Sequence, residues 1–204
     1  MMLHRPAFLA SLLTSLGAAV APAAAQTVNT APVTSLADLT TTSERHRQVF
    51  ASVSISHGAV LKYMRNSLNG FADGLHEGPG TLKAVAVLYG TSLAIALNDD
   101  AWKTYGLAAQ LGLAPDPAGG NPFRNIVAEL VARDARLLMC NNALVGFSGT
   151  LASTPALLGK TTTAHVRESL IAAFLPGVTL VPAGVTALAI LQEARYTLIQ
   201  ASLE

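Results

Sequence analysis

Short apolar runs punctuate the chain, and each gives way to polar or small residues. Gln48 to Ile55 alternates, with Val49, Ala51, Val53 and Ile55 set against Phe50, Ser52 and Ser54. Leu82 to Leu88 (LKAVAVL), the run from Arg136 to Cys140 (RLLMC) and Val178 to Val181 are compact apolar stretches of the kind carried by buried strands. Between them the spacing turns helical. Val60, Met64, Leu68 and Phe71 fall on one face of a helix over Val60–Phe71. Phe123, Ile126, Val127, Leu130 and Val131 do the same over Phe123–Ala135, with Asn121 as a cap and Pro122 as the first helical residue. Ser92 to Leu97 reads as a short apolar turn and Asn98 to Asp100 as a cap. Ala101 to Leu111 is helical in composition, and Trp102 and Tyr105 are expected in the core. A short helix over Ala164–Phe174 and a closing helix over Val185–Ile199 complete the set.

Gly and Pro mark the connections. HEGPGT (His76 to Thr81) is a turn and LAPDPAGGNP (Leu113 to Pro122) a loop, while Gly146 to Thr163 reads as an irregular segment, either a lid or a variable loop. Strand and helix thus alternate, which predicts an α/β fold: an open, mostly parallel sheet with helices on both faces. Right-handed crossovers would then bring every strand C-terminus to one rim. His57, Tyr89, Cys140 with Asn141 and Asn142, and Gly184 all stand at or just beyond strand ends. They are the candidate site residues.

The N-terminus changes the picture of organisation. His4 and Arg5, the apolar run Ala7 to Val20 and the small residues Ala23 to Ala25 have the layout of a secretory signal peptide, with cleavage near Ala25. The expected organisation is a signal over residues 1–25, a flexible Thr/Ser/Ala/Pro lead-in over 26–44 and an α/β domain over 45–204. The domain would be periplasmic or secreted and free of the membrane once cleaved. Removing the signal takes away Arg5 from the 13 basic residues, which then balance the 12 acidic ones. A neutral, sparsely charged chain carries no footprint for nucleic acid. Low charge with 51% hydrophobic residues points to some surface buried against other subunits.

Candidate chemistry narrows quickly. Cys140 is the chain's only cysteine, so it forms no internal disulfide. In an oxidising compartment it is either a buried packing residue or a thiol in use. Arg136 is too far back along an extended strand to activate it, which leaves His57 across the rim or the amides of a following helix. Asn141 and Asn142 could hydrogen-bond a persulfide or thiosulfonate anion. His76 beside Glu77 could form an acid–base couple or a solvated turn. No glycine pattern for binding phosphate, no Gly-x-Ser-x-Gly around Ser148 and no zinc spacing is present, and no cofactor is expected. A soft metal on Cys140, Met139 and His57 is disfavoured because Met139 and Cys140, adjacent in a strand, point to opposite faces.

Three stretches together, EGPGTLKAVAVLYG, MCNNAL and GVTLVPAGVTALAILQEARYTLI, resemble the DsrE/DsrF-like proteins, over roughly Arg47 to Ile199. The resemblance implies an open α/β sheet, a homo-oligomer or, as in the sulfur-relay complexes, a mixed oligomer, and carriage of reduced sulfur as a persulfide on Cys140. Its partners would be a sulfur donor or acceptor protein or a small sulfur anion. Two features depart from the family: sulfur-relay members are cytoplasmic, and Ala143 stands where relatives often carry a threonine. The alternative is a non-catalytic module for a small ligand, a soft metal or assembly, with Cys140 in the core.

Overall fold

The computed structural model describes residues 36–116 and 119–202. The expected signal peptide, its cleavage point and most of the lead-in lie outside them. The strands are β1 (His46–Ser52), β2 (Leu82–Leu88), β3 (Arg136–Cys140), β4 (Val178–Val181) and β5 (Thr197–Gln200). They form one five-stranded sheet in the order β4-β3-β2-β1-β5, with every neighbouring pair parallel. The helices are α1 (Ala37–Thr40), α2 (Ala59–Asn69), α3 (Asp99–Tyr105), α4 (Leu107–Gln110), α5 (Arg124–Ala132), α6 (Asn141–Ala152), α7 (Thr163–Ala172) and α8 (Gly184–Glu193). This is the α/β architecture that the alternation predicts.

Strand order dictates where the helices go. The steps β1 to β2 to β3 to β4 all move one way, so right-handed crossovers put their helices on one face. The return from β4 to β5 runs the other way and puts α8 on the opposite face. The two cores agree. Phe50, Ala84, Ala86, Leu88, Leu137 and Met139 pack under α2, α5, α6 and α7. Val49, Val85, Val87, Leu138 and Val181 pack with Ala187 and Leu191 of α8. Burial on both faces explains why β2 is apolar without alternation and buried along its whole length. It also sets the site: the chain leaves β3 towards one face and β4 towards the other. The point where those exits diverge is the topological switch point at which open α/β sheets generally bind ligands.

Several elements differ from expectation. The segment read as irregular from Gly146 is helical as far as Ala152, as the second half of α6. Leu144, Ser148 and Leu151 form its buried stripe, and the apolar contacts outweigh the propensity cost of Gly146 and Gly149. The helix expected over Ala101–Leu111 is broken at Gly106, whose left-handed backbone (φ 58°) separates α3 from α4. The closing helix ends early. Arg195 adopts φ 68°, Tyr196 turns into the α8-side core, and Thr197–Gln200 pairs with β1 as an edge strand.

The lead-in also reaches the fold. Leu39 of α1 is buried beside α8, and the Tyr196 hydroxyl donates to the Leu39 carbonyl at 2.8 Å. Burial, only partly offset by Arg47 and reinforced by Glu44, Asp38 and Asp134, pushes the Tyr196 phenol from 10.0 up to about 12. A raised folded-state value means that the folded chain holds the proton more tightly than the unfolded one. This contribution to stability is therefore complete below about pH 10 and is lost as pH climbs through about 12. Tyr196→Phe should cost about 1 kcal/mol at neutral pH and flatten this alkaline decline. Urea denaturation at neutral and alkaline pH checks both. An unchanged alkaline slope in the variant would place the effect elsewhere.

Candidate functional site

Cys140 ends β3, and α6 begins at the next residue, with no loop between. The thiol therefore occupies the helix N-cap. Its backbone is extended, and Sγ accepts the Ala143 amide N–H at 3.4 Å, in place of the usual hydroxyl or carboxylate cap. The positive end of a twelve-residue helix thus faces the sulfur. The residue is 6% exposed. Its position in the strand pairs it with Val181 and turns it towards α8, whereas Met139 belongs to the opposite core. A shared metal on Met139 and Cys140 is geometrically closed, and no cluster of three or more His, Cys, Asp or Glu occurs among the described residues.

Two of the other candidates meet Cys140. Gly184 opens α8 and is buried against it. A Cβ at this position would stand 3.2 Å from Cys140 Cβ, 3.1 Å from Val87 Cγ1 and 3.4 Å from Tyr89 Cδ1. Only a hydrogen at position 184 leaves that space free, so the N-terminus of α8 closes on the thiol from one face while α6 leaves on the other. Tyr89 follows β2, and its amide donates to the Ser52 carbonyl at 3.0 Å. Burial first, and then the charge of neighbouring Cys140, raises the Tyr89 phenol above its ordinary value. At neutral pH it remains a neutral hydroxyl.

The asparagines divide. Asn142 is exposed, and its amide donates to the Pro182 carbonyl at 3.3 Å, stitching the end of β3 to the end of β4. Asn141 is buried and committed elsewhere: its Oδ1 accepts from Arg167 Nε at 3.1 Å and from Nη2 at 2.5 Å. The expectation that its side chain faces the sulfur is replaced by this link between α6 and α7. Arg167 itself carries no signal in the sequence beyond its place in a short charged helix.

His57 does not join the cluster. It is exposed, with φ 49°, in the single 3-10 turn between β1 and α2. β2 stands between its strand and β3. Gly58 beside it is held against the Phe123 ring, where a Cβ would come within 2.7 Å of Cε1. No hydrogen bond or ion pair among the described residues joins His57 to Cys140, whose sulfur accepts instead from the Ala143 amide. His76 and Glu77 also part: Glu77 pairs with His46 Nε2 at 2.7 Å, and His46 stacks on Phe71 with ring centroids 4.1 Å apart. Ser148 is buried inside α6 and donates to the Leu144 carbonyl. An open cavity of about 620 Å³ lies between α3–α4 and residues 154–157; it contains none of the rim residues and no nucleophile beside a base.

No family model matches the chain, and no curated protein matches it. Among solved structures it is similar to MTH1491 from Methanobacterium thermoautotrophicum, described as a protein of unknown function. Identity is 17%, the match covers 76% of this chain and 98% of that one, and the TM-score is 0.46.

Proposed function

We propose that this is an exported DsrE-like protein that carries or transfers reduced sulfur as a persulfide on Cys140. The observation that carries the reading is the position of the thiol. The lone cysteine caps α6 at the point where the exits of β3 and β4 diverge, with the α8 N-terminus packed against it. The sulfur there receives one amide hydrogen bond and faces the N-termini of two helices. In the transfer, the Cys140 thiolate attacks the outer sulfur of a donor persulfide. The donor S–S bond breaks as the new one forms, and the donor leaves as a thiolate. One sulfur moves with no net oxidation. Tyr89 supplies a neutral hydroxyl beside the group, and Asn142 fixes the rim through its backbone.

Assembly belongs to the same proposal. Val185 on α8 and Leu198 on the edge strand β5 are large exposed apolar side chains that a second subunit would cover. Among the described residues no helix is long and apolar enough to cross a membrane. The second reading is a ligand-binding or assembly module with Cys140 as a packing residue, and the near-complete burial of the thiol is what favours it.

Intact mass before and after incubation with thiosulfate or polysulfide separates the two. The expected result is added mass in steps of one sulfur, absent in Cys140→Ser. A thiol that stays unmodified and also resists alkylation in the folded protein would establish the core role and end the carrier reading.

A further inference from the structure

The Cys140 thiol is nearly buried, and the first turn of α8 closes over it. Of the elements around the sulfur, α8 is the one that can swing. β2 and β3 are buried on both faces, and α6 is joined to Cys140 by the chain itself. The amino end of α8 has no side-chain cap, and Val185 in its first turn is exposed. The helix also brings little cover of its own. In the core on this face the strands supply five buried residues among those described, and α8 adds Ala187 and Leu191. Leu39 of α1 and Tyr196, just after α8, complete that core. Their contacts converge on the carboxyl end of the helix. The Leu39 carbonyl accepts the Tyr196 hydroxyl, and Arg47 Nη2 donates to the Thr42 carbonyl at 2.6 Å. Arg47 Nη1 donates to the Ala194 carbonyl at 3.2 Å, so one guanidinium ties the segment after α1 to the C-cap of α8. α1 is thus a strap over one end of a helix whose other end covers the thiol. Ten residues of helix form a rod only about 15 Å long, so losing the seat at one end loosens the contact at the other.

We propose that α1 is the latch of a gate on Cys140. With Leu39 seated, α8 stays closed over the thiol; when α1 lifts, α8 swings outward as a local unit and uncovers it. Elements held by few buried apolar contacts open at a lower free energy than the whole fold unfolds. The gate is a property of the fold, and its use in admitting a sulfur donor rests on the persulfide reading.

The test is the rate at which iodoacetamide modifies Cys140 in the folded protein. Leu39→Ala should raise that rate by about tenfold or more, and Tyr196→Phe, which removes a bond but keeps the ring, should raise it less. Leu130→Ala removes the same atoms from the opposite core and should leave the rate within about twofold of the parent's. Gly184→Val acts in the other direction, because its added carbons stand against Cys140 while α8 stays latched. Equal acceleration by Leu39→Ala and Leu130→Ala would mean that the thiol is reached through global unfolding, and it overturns the latch. So does a Leu39→Ala rate equal to the parent's. If Leu39→Ala does not fold, the unaltered protein decides. Its rate of modification should stay flat in urea below the unfolding transition, and a rise as steep as that of global unfolding overturns the gate. A Leu39→Ala protein that alkylates faster but never gains sulfur keeps the gate and ends the carrier reading. Sulfur loading in a protein whose alkylation ignores Leu39 keeps the carrier reading and removes the gate.

Discussion

Gly184→Val is expected to destabilise the fold by about 1–3 kcal/mol and to slow alkylation of Cys140 by roughly tenfold or more. The reason is local and directional. Even the first added carbon would meet Val87, Cys140 and Tyr89 at 3.1–3.4 Å, and valine adds two further methyl groups. β2 and β3 cannot retreat, because both are buried against the opposite core, so the start of α8 must move. That movement takes a helix N-terminus away from the thiol and shifts the Pro182 carbonyl that holds Asn142. Gly146 provides the control. It lies in the interior of α6 with nothing within 4 Å of an added Cβ, and Gly146→Ala should stabilise by about 0.5–1 kcal/mol. Urea denaturation gives the stabilities, and the rate of alkylation of Cys140 gives the reactivity. A Gly184→Val protein that matches its parent in both would show that the α8 N-terminus does not shape the site.

The contrast between those glycines bears on what could be read before the structure. Gly184 stood out in the sequence because it follows a strand, and a parallel sheet gathers all such ends on one rim. The same logic placed Tyr89 and Cys140 beside it. His57 also follows a strand, but strand order decides which ends are neighbours, and β2 separates β1 from β3. Periodicity cannot supply that order. The second half of α6 was hidden because Gly146, Ser148 and Gly149 resemble a loop, although Leu144, Ser148 and Leu151 keep helical spacing. β5 was hidden for the opposite reason: its apolar residues continue the pattern of α8, and the break is a left-handed arginine rather than a glycine or proline. Arg167 was out of reach altogether. Its burial depends on Asn141, a partner on another helix.

Asn121→Ala should cost about 3–4 kcal/mol, the largest stability loss expected here, and lower the melting temperature by roughly 10 °C. The sequence marks Asn121 as the cap and Pro122 as the first helical residue, but α5 starts at Arg124 with Phe123 at its N-cap, and Asn121 Oδ1 accepts the Phe123 amide at 2.8 Å in the turn before the helix. That bond alone is worth about 1 kcal/mol. The rest of the loss comes from the other end of the side chain. Nδ2 donates to the Ile95 carbonyl at 2.9 Å and to the Leu97 carbonyl at 2.6 Å, and the residue is fully buried. Alanine would leave two carbonyls without a donor where water does not reach, each at a cost of about 1–3 kcal/mol. Asn121→Asp separates the two roles. Aspartate accepts the Phe123 amide at least as well as asparagine but cannot donate, and it would set a carboxylate against those same carbonyls. If the bond to the Phe123 amide dominates, the aspartate variant melts with the parent; if the carbonyls dominate, it melts at or below the alanine variant. The second outcome is expected, because Asn121 ties the start of α5 to the segment between β2 and α3, and that tie is made by its donors.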